Sequence, residues 1–215
     1  MLLAAGDGSR LGTPKAVVEL GGRRLVDRGA QLLRDGGAAP VFVVTGAVPV
    51  TVPGAITVHN PHWPTGMGSS LAAGLRALPG DCAAAVIALV DQPLIGTDAV
   101  QRLIAAYRAG AEVVVATYHG RPRNPVLLAR RHWAGVLGMA VGDAGARPYL
   151  RAHPDLVTAV ECADTGRPDD VDTPDDLARL GSLVARESAV PPGGQPLADR
   201  PSGDPTPARC PGQPG

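Results

Sequence analysis

The sequence predicts an α/β fold: a three-layer αβα sandwich around a Rossmann-like, mostly parallel sheet. Three observations carry the prediction. Short β-branched apolar runs alternate along the chain with amphipathic stretches, the pattern of βαβ units. Those runs read as apolar on both faces, as strands buried between two helical layers do. A glycine-rich loop, Gly6 to Gly12, follows the first apolar run, where open α/β sheets bind ligands.

The elements follow in order. Only Met1 and Leu2 precede Leu3-Ala-Ala-Gly6, so either the first strand is very short or the chain begins downstream of its natural start, and a truncated central strand should cost stability. Residues 41–45, 55–59, 84–90, 113–117 and 156–160 read as the remaining strands. Helical stretches are expected near residues 25–34, 69–78, 98–108, 147–152 and 174–186. The last has an ordinary start: Thr173 as N-cap, Pro174 at the first helical position, and Asp175 and Asp176 in the first turn. No internal repeat is present. The expected organisation is one domain over residues 1–187, followed by a disordered Pro/Gly-rich tail at 188–215 without apolar period.

Composition narrows the function. Apolar residues make up 45% of the 215, enough for a core, and 20 basic residues balance 20 acidic ones. Zero net charge argues against a nucleic-acid binder. No apolar stretch approaches the roughly 20 residues of a membrane span. Cys82, Cys162 and Cys210 are far apart and odd in number, which reads as free thiols in a cytoplasmic protein. The histidines form no metal-spaced cluster. Lys15 is the only lysine in a chain otherwise served by arginine. Its place inside the glycine-rich motif suggests that a compact point charge is needed there.

The loop LLAAGDGSRLGTPK fails two common phosphate signatures. Gly6, Gly8 and Gly12 are one residue out of register with G-x-G-x-x-G, and Pro14 falls where that motif needs a running helix. Lys15 lies between Pro14 and Ala16, so the P-loop pattern fails too. What remains is an extended loop whose glycines free N–H groups for phosphate oxygens. Arg10 offers a fork and Lys15 a point charge. Asp91, in Val90-Asp-Gln-Pro93, closes a strongly apolar strand, where a carboxylate suits Mg²⁺. Asp170 and Asp172 are left over from the helix start at 174. Gly66-Met-Gly-Ser-Ser70 leads into a helix, where Ser69 or Ser70 reads equally well as an N-cap or as facing an anion.

These motifs together resemble the molybdenum cofactor nucleotidyltransferases, of the nucleotide-diphospho-sugar transferase type of fold, and within them the CTP:molybdopterin cytidylyltransferases. The resemblance rests on LAAG-x-G-x-R-L-G-x-P-K, the 66–74 glycine-serine motif, Val90-Asp-Gln-Pro93, Arg123-Asn-Pro-Val126, Gly142-Asp-Ala-Gly-Ala-Arg147 and Asp170-Val-Asp-Thr-Pro174, and spans about residues 1–180. It implies a MobA-like NTP transferase that moves CMP from CTP to the terminal phosphate of molybdopterin and releases pyrophosphate. It implies Mg²⁺ on Asp91 and Asp172, catalytic roles for Arg10, Lys15 and Asp91, and nucleotide contacts from Leu3, Ala4, Ala5, Gly6, Gly8, Arg10, Lys15, Gly68 and Ser69. Acceptor contacts would come from Asn124, Asp143 and Arg147. The LAAG form, with Ala5, leans toward cytosine. CTP, molybdopterin-type molecules and a molybdenum hydroxylase or its chaperone are the implied partners, without nucleic acid or membrane. Nicotine-blue-type NAD(P)H oxidoreductases share much of the pattern, so that activity, or transfer to another phosphorylated acceptor, is the alternative.

Overall fold

The computed structural model describes residues 1–189, with side chains through Arg186. Its elements are β1 (Leu2–Ala4), β2 (Glu19–Leu20), β3 (Arg23–Arg24), α1 (Leu25–Asp35), β4 (Phe42–Thr45), β5 (Ile56–His59), α2 (Met67–Ala77), β6 (Ala84–Leu89), α3 (Thr97–Arg108), β7 (Val113–Tyr118), β8 (Arg121–Ala129), α4 (Trp133–Met139), α5 (Arg147–Ala152), β9 (Val157–Glu161) and α6 (Pro174–Ala189). Seven strands form one sheet in the order β5-β4-β1-β6-β8-β7-β9. All run parallel except β8, which is antiparallel to both neighbours. β2 and β3 form a separate small hairpin.

Strand alternation divides the core into two layers. Leu2, Ala4, Val43, Val86 and Ala88 face one side and pack with Leu25, Val26 and Leu33 of α1, Val100 and Leu103 of α3, and Leu180 of α6. Met1, Leu3, Val44, Ala85 and Ile87 face the other and pack with Leu71 and Leu75 of α2, Trp133 and Val136 of α4, and Tyr149 of α5. The result is the expected three-layer sandwich. The central strand β1 is indeed only three residues long, registered between β4 and β6.

Three expectations change. The strands are not all apolar on both faces: β5 and β9 are the sheet edges and expose alternate or adjacent side chains. β8 was not expected as a strand, because its first half, Arg121-Pro-Arg-Asn-Pro125, carries charge and two prolines. Pro125 falls where the register against β7 shifts at Val115/Ala116, a β-bulge, and Pro122 lies beyond the stretch of β8 that pairs with β6. Helix α4 was also missed, since its two glycines weaken the helical signal. At the other end α6 runs to Ala189, across the expected boundary at 187, and the remainder of the expected tail lies outside the described residues. Among the described residues no helix is long and apolar enough to cross a membrane, and Cys82 and Cys162 are free thiols.

Candidate active site

β1 delivers the chain to the carboxyl end of the sheet, and no helix follows it. Residues 5–14 are a loop, closed by Leu11 N–H and Gly12 N–H, which both donate to the Gly8 carbonyl at 2.8 Å. Gly8 has φ +64°, and a Cβ there would lie 2.0 Å from the Thr13 carbonyl oxygen, so only glycine fits. Pro14 is extended (φ −54°, ψ 124°) and starts a 3-10 turn at Lys15–Val17. That turn aims Lys15 inward.

Lys15 Nζ donates to Asp91 Oδ2 at 2.9 Å and to Asp172 Oδ1 at 2.6 Å, and its side chain is only 16% exposed. Arg10 Nη2 reaches the same Asp172 Oδ1 at 3.0 Å from a largely exposed position. The two carboxylates come from segments far apart in sequence. The main chain joins them, Val171 N–H donating to the Asp91 carbonyl at 2.8 Å. Burial alone lowers the Lys15 pKa, but Asp91 and Asp172 outweigh it and hold the ammonium above the ordinary lysine value. Asp170, the other leftover acid, accepts from Gln92 Nε2 at 2.9 Å. Burial pushes its carboxyl above the usual range, with Gln92 opposing. Asp170 thus braces the strand end, while Asp172 joins the charged cluster. Thr173 caps α6 reciprocally: Asp176 N–H donates to Thr173 Oγ1 at 3.2 Å, and Thr173 N–H donates to Asp176 Oδ2 at 3.0 Å.

This cluster floors a cavity of about 620 Å³ walled by Leu3, Ala5, Gly6 to Arg10, Trp63, Gly66, Met67, Ser70 and Asp143. Its volume lies in the range of small-molecule sites. Ala4, Gly68 and Ser69 do not line it, against expectation. The Ala4 side chain points into the α1 side of the core by strand alternation. α2 begins at Met67, so Gly68 and Ser69 lie within its first turn rather than before it. A Cβ on Gly68 would meet the Ala140 carbonyl at 2.4 Å, so that face packs on α4. Ser69 Oγ donates to His62 and Gly66 carbonyls and accepts from Asn60 Nδ2, which also reaches Ser70 Oγ. Neither serine is an N-cap. The α2 start is capped from outside instead: Asp143 Oδ1 accepts from Met67 N–H at 3.2 Å. Gly66, at φ +106°, makes room, since a Cβ would lie 2.4 Å from the Gly142 carbonyl carbon.

Asp143 is therefore separated from the other two expected acceptor residues. Asn124 and Arg147 line a second cavity of about 490 Å³, together with Arg123 and Arg151 over a floor of Val115, Val126, Leu150 and Val157. Sequence reasoning missed Trp63, Gln92 and Arg151. Gln92 stood inside the Asp-Gln-Pro motif; Arg151 lies four residues after Arg147 and so on the same helix face.

The donor set suits a hard divalent cation. Asp91 Oδ1 is buried without a hydrogen-bond partner, and Asp172 stands across the Lys15 ammonium from it. No group of three or more His, Cys, Asp or Glu side chains poised for a metal occurs among the described residues. Two carboxylates are what Mg²⁺ takes when phosphates and waters complete its shell.

A glycine loop, a half-buried lysine, an aspartate at the end of β6 and another before α6, on one doubly covered sheet, agree with a family match that spans residues 1–157. The chain belongs to the MobA-like NTP transferase domain family. It is 37% identical over 200 residues to nicotine blue oxidoreductase of Paenarthrobacter nicotinovorans, covering 84% of this chain and 94% of that protein. Among solved structures it is similar to an Rv0371c homologue from Mycobacterium sp. strain JC1, with TM-score 0.74 and 29% identity over 86% of this chain and 96% of the other. It shares the fold of molybdopterin-guanine dinucleotide biosynthesis protein A from Archaeoglobus fulgidus, with TM-score 0.60 and 19% identity over 86% and 97% of the two chains. Membership in this family supports a nucleotidyltransferase.

Proposed function

We propose that the chain is a Mg²⁺-dependent cytidylyltransferase that moves CMP from CTP to the terminal phosphate of molybdopterin and releases pyrophosphate. The single observation that carries this reading is the Lys15–Asp91–Asp172 cluster on the floor of the glycine-loop cavity. Asp91 and Asp172 would hold the metal, which supplies charge neutralisation across the phosphate oxygens when bound. Gly6 to Gly8 offer backbone N–H groups beside it. Arg10, mostly exposed, swings onto the triphosphate, and Lys15 neutralises the oxygens of the leaving pyrophosphate. Leu3, Ala5 and Gly6 face the base, with the Ala5 methyl narrowing its pocket toward cytosine. The acceptor phosphate is largely anionic at neutral pH, so the protein's work is in-line positioning rather than deprotonation. A molybdenum hydroxylase or its chaperone would receive the product.

A thermal-shift panel of CTP, GTP, ATP, UTP and NADPH, each with and without Mg²⁺, tests the reading. Preferential stabilisation by CTP with Mg²⁺, followed by pyrophosphate release on adding molybdopterin, is the expected result. The similarity to nicotine blue oxidoreductase favours a second reading, an NAD(P)H-dependent oxidoreductase. Stabilisation by NADPH without Mg²⁺, with NADPH consumed, would establish that one instead.

A further inference from the structure

Among the described residues, Trp63 alone brings an aromatic ring to the wall of the glycine-loop cavity. It enters on a 3-10 turn, Trp63–Thr65, between β5 and α2. The turn is tied at both ends. Asn60, 2% exposed, donates its N–H to the Thr45 carbonyl at 2.8 Å, and its Oδ1 accepts from His62 N–H at 3.0 Å. On the other side Gly66 N–H donates to the Trp63 carbonyl at 3.1 Å, and Ser69 Oγ donates to the His62 carbonyl at 2.8 Å.

The indole has room only because residue 46 is glycine. A Cβ on Gly46 would lie 2.5 Å from Trp63 Cβ, 2.6 Å from Trp63 Cγ and 2.7 Å from the Ala5 carbonyl oxygen. Gly46 is not among the left-handed glycines, so the requirement there is one of space. Trp63 is thus seated against the main chain that opens the glycine loop. The other tryptophan, Trp133, is spent in the core, with Nε1–H donating to the Leu128 carbonyl at 3.0 Å and Arg130 over its ring. The Trp63 ring is half-buried and stacks on no other ring or guanidinium among the described residues.

Sheet order sets its distance from the charged cluster. β4 and β6 flank β1. Gly46 follows β4 and Asp91 follows β6, so the two sides of the cavity lie two strand spacings apart, about 10 Å. Lys15, Asp91 and Asp172 hold the β6 side. The indole holds the β4 side, beside Ala5. A nucleoside triphosphate has the same polarity and reach, with an anionic chain at one end and a flat heterocycle at the other.

We infer that Trp63 is the wall on which the base of the nucleotide packs, ring against indole. Every base has a π-face, so stacking supplies affinity common to all nucleotides. The choice between bases then falls to the groups that meet the base edge, the main chain of the loop and the Ala5 methyl. This rests on the nucleotidyltransferase reading and adds to it the residue that grips the ring. Removing the indole therefore weakens each nucleotide by a similar factor and leaves their ranking unchanged.

The test uses the full chain with Mg²⁺, and calorimetric titration of CTP, UTP, ATP, GTP and inorganic tripolyphosphate. Trp63→Ala is expected to weaken CTP by about tenfold, and every other nucleotide that binds by a similar factor. Tripolyphosphate, which has no ring, binds both proteins alike, and Trp63→Phe recovers most of the loss. CTP quenches the tryptophan emission of the unaltered chain but not that of Trp63→Ala, in which buried Trp133 remains. Unchanged CTP affinity in Trp63→Ala, an equal loss for tripolyphosphate, or a changed ranking of the bases overturns the inference. If the unaltered chain binds tripolyphosphate and CTP equally, the inference alone fails. If it binds neither, the nucleotidyltransferase reading falls with it.

Discussion

In protein produced with Met1 as its first residue, acetylation of the α-amino group is expected to stabilise the fold more in mild acid than in mild base. Met1 leads into the central strand, is 4% exposed, and its amino group donates to the Val86 carbonyl inside the sheet. Burial pushes the ammonium pKa from 8.0 down to about 5. The sign follows from proton counting. Above pH 8 the amine is neutral in folded and unfolded chains, and no penalty exists. Between pH 8 and 5 the unfolded chain takes up a proton that the folded chain refuses, so stability falls as pH falls. A three-unit depression is worth about 4 kcal/mol when fully expressed, about 3 kcal/mol at pH 5.5 and between about 1 and 2 kcal/mol at pH 7. Acetylation removes the titrating charge and keeps an N–H donor for Val86. At roughly 2–4 °C per kcal/mol for a domain of this size, the change in melting temperature on acetylation should exceed that at pH 8.5 by about 3–6 °C at pH 7, and by more at pH 5.5. The assay is thermal unfolding of acetylated and free-amine protein at those three values. Any steric effect of the acetyl group adds equally at every pH, and His132 titrates identically in both proteins, so the slope of the difference is the readout. A difference independent of pH refutes the reasoning.

Four further outcomes are expected. Lys15→Met removes the ammonium that occupies the space between Asp91 and Asp172, so Mn²⁺ titrated without nucleotide and followed by paramagnetic resonance should bind at least tenfold more tightly than to the unaltered chain; unchanged affinity would mean that the carboxylates do not share a cation position. The same variant should lose cytidylyl transfer while keeping its far-ultraviolet circular dichroism. Gly8→Ala forces a left-handed alanine and a clash with Thr13, costing about 1–2 kcal/mol from the backbone alone, and CTP-induced thermal stabilisation should disappear. Thr173→Ala breaks the reciprocal cap of α6 and should lower urea-derived stability by about 1 kcal/mol; a change within error would place the cap's strength elsewhere.

Much of the site was legible where backbone chemistry is local. Pro14 announces that no helix follows the first strand, and the structure has a 3-10 turn there. Asp91 is legible because an acid after an apolar run can only stand at a strand end. Assigning Thr173 to Asp176 to the helix start leaves both Asp170 and Asp172, and only the resemblance favours Asp172; the structure shows Asp170 held by Gln92. Legibility fails where long-range packing decides. Gly68 and Ser69 look like a loop before a helix, yet Asp143, 76 residues away, caps α2 and lets it start at Met67. Ala4 shares a motif with Leu3 and Ala5, but strand alternation turns it to the opposite face. β8 hides because prolines and arginines at its start break the pattern that its second half, Val126 to Ala129, obeys. Arg151 carries no motif at all. Its importance comes from standing over an apolar floor supplied by three strands.

The clasp between Asp143 and the start of α2 has a thermodynamic corollary. Residues 143 and 147 sit four apart in one short segment, the first on the wall of the glycine-loop cavity and the second on the rim of the arginine-lined one. Whatever stills one end of that segment leaves less motion for the other end to surrender. Occupants of the two cavities should therefore favour each other's retention, and by linkage the factor must be the same in whichever order they arrive. Such a coupling would hold a nucleotide longer in the presence of an acceptor than when it is bound alone.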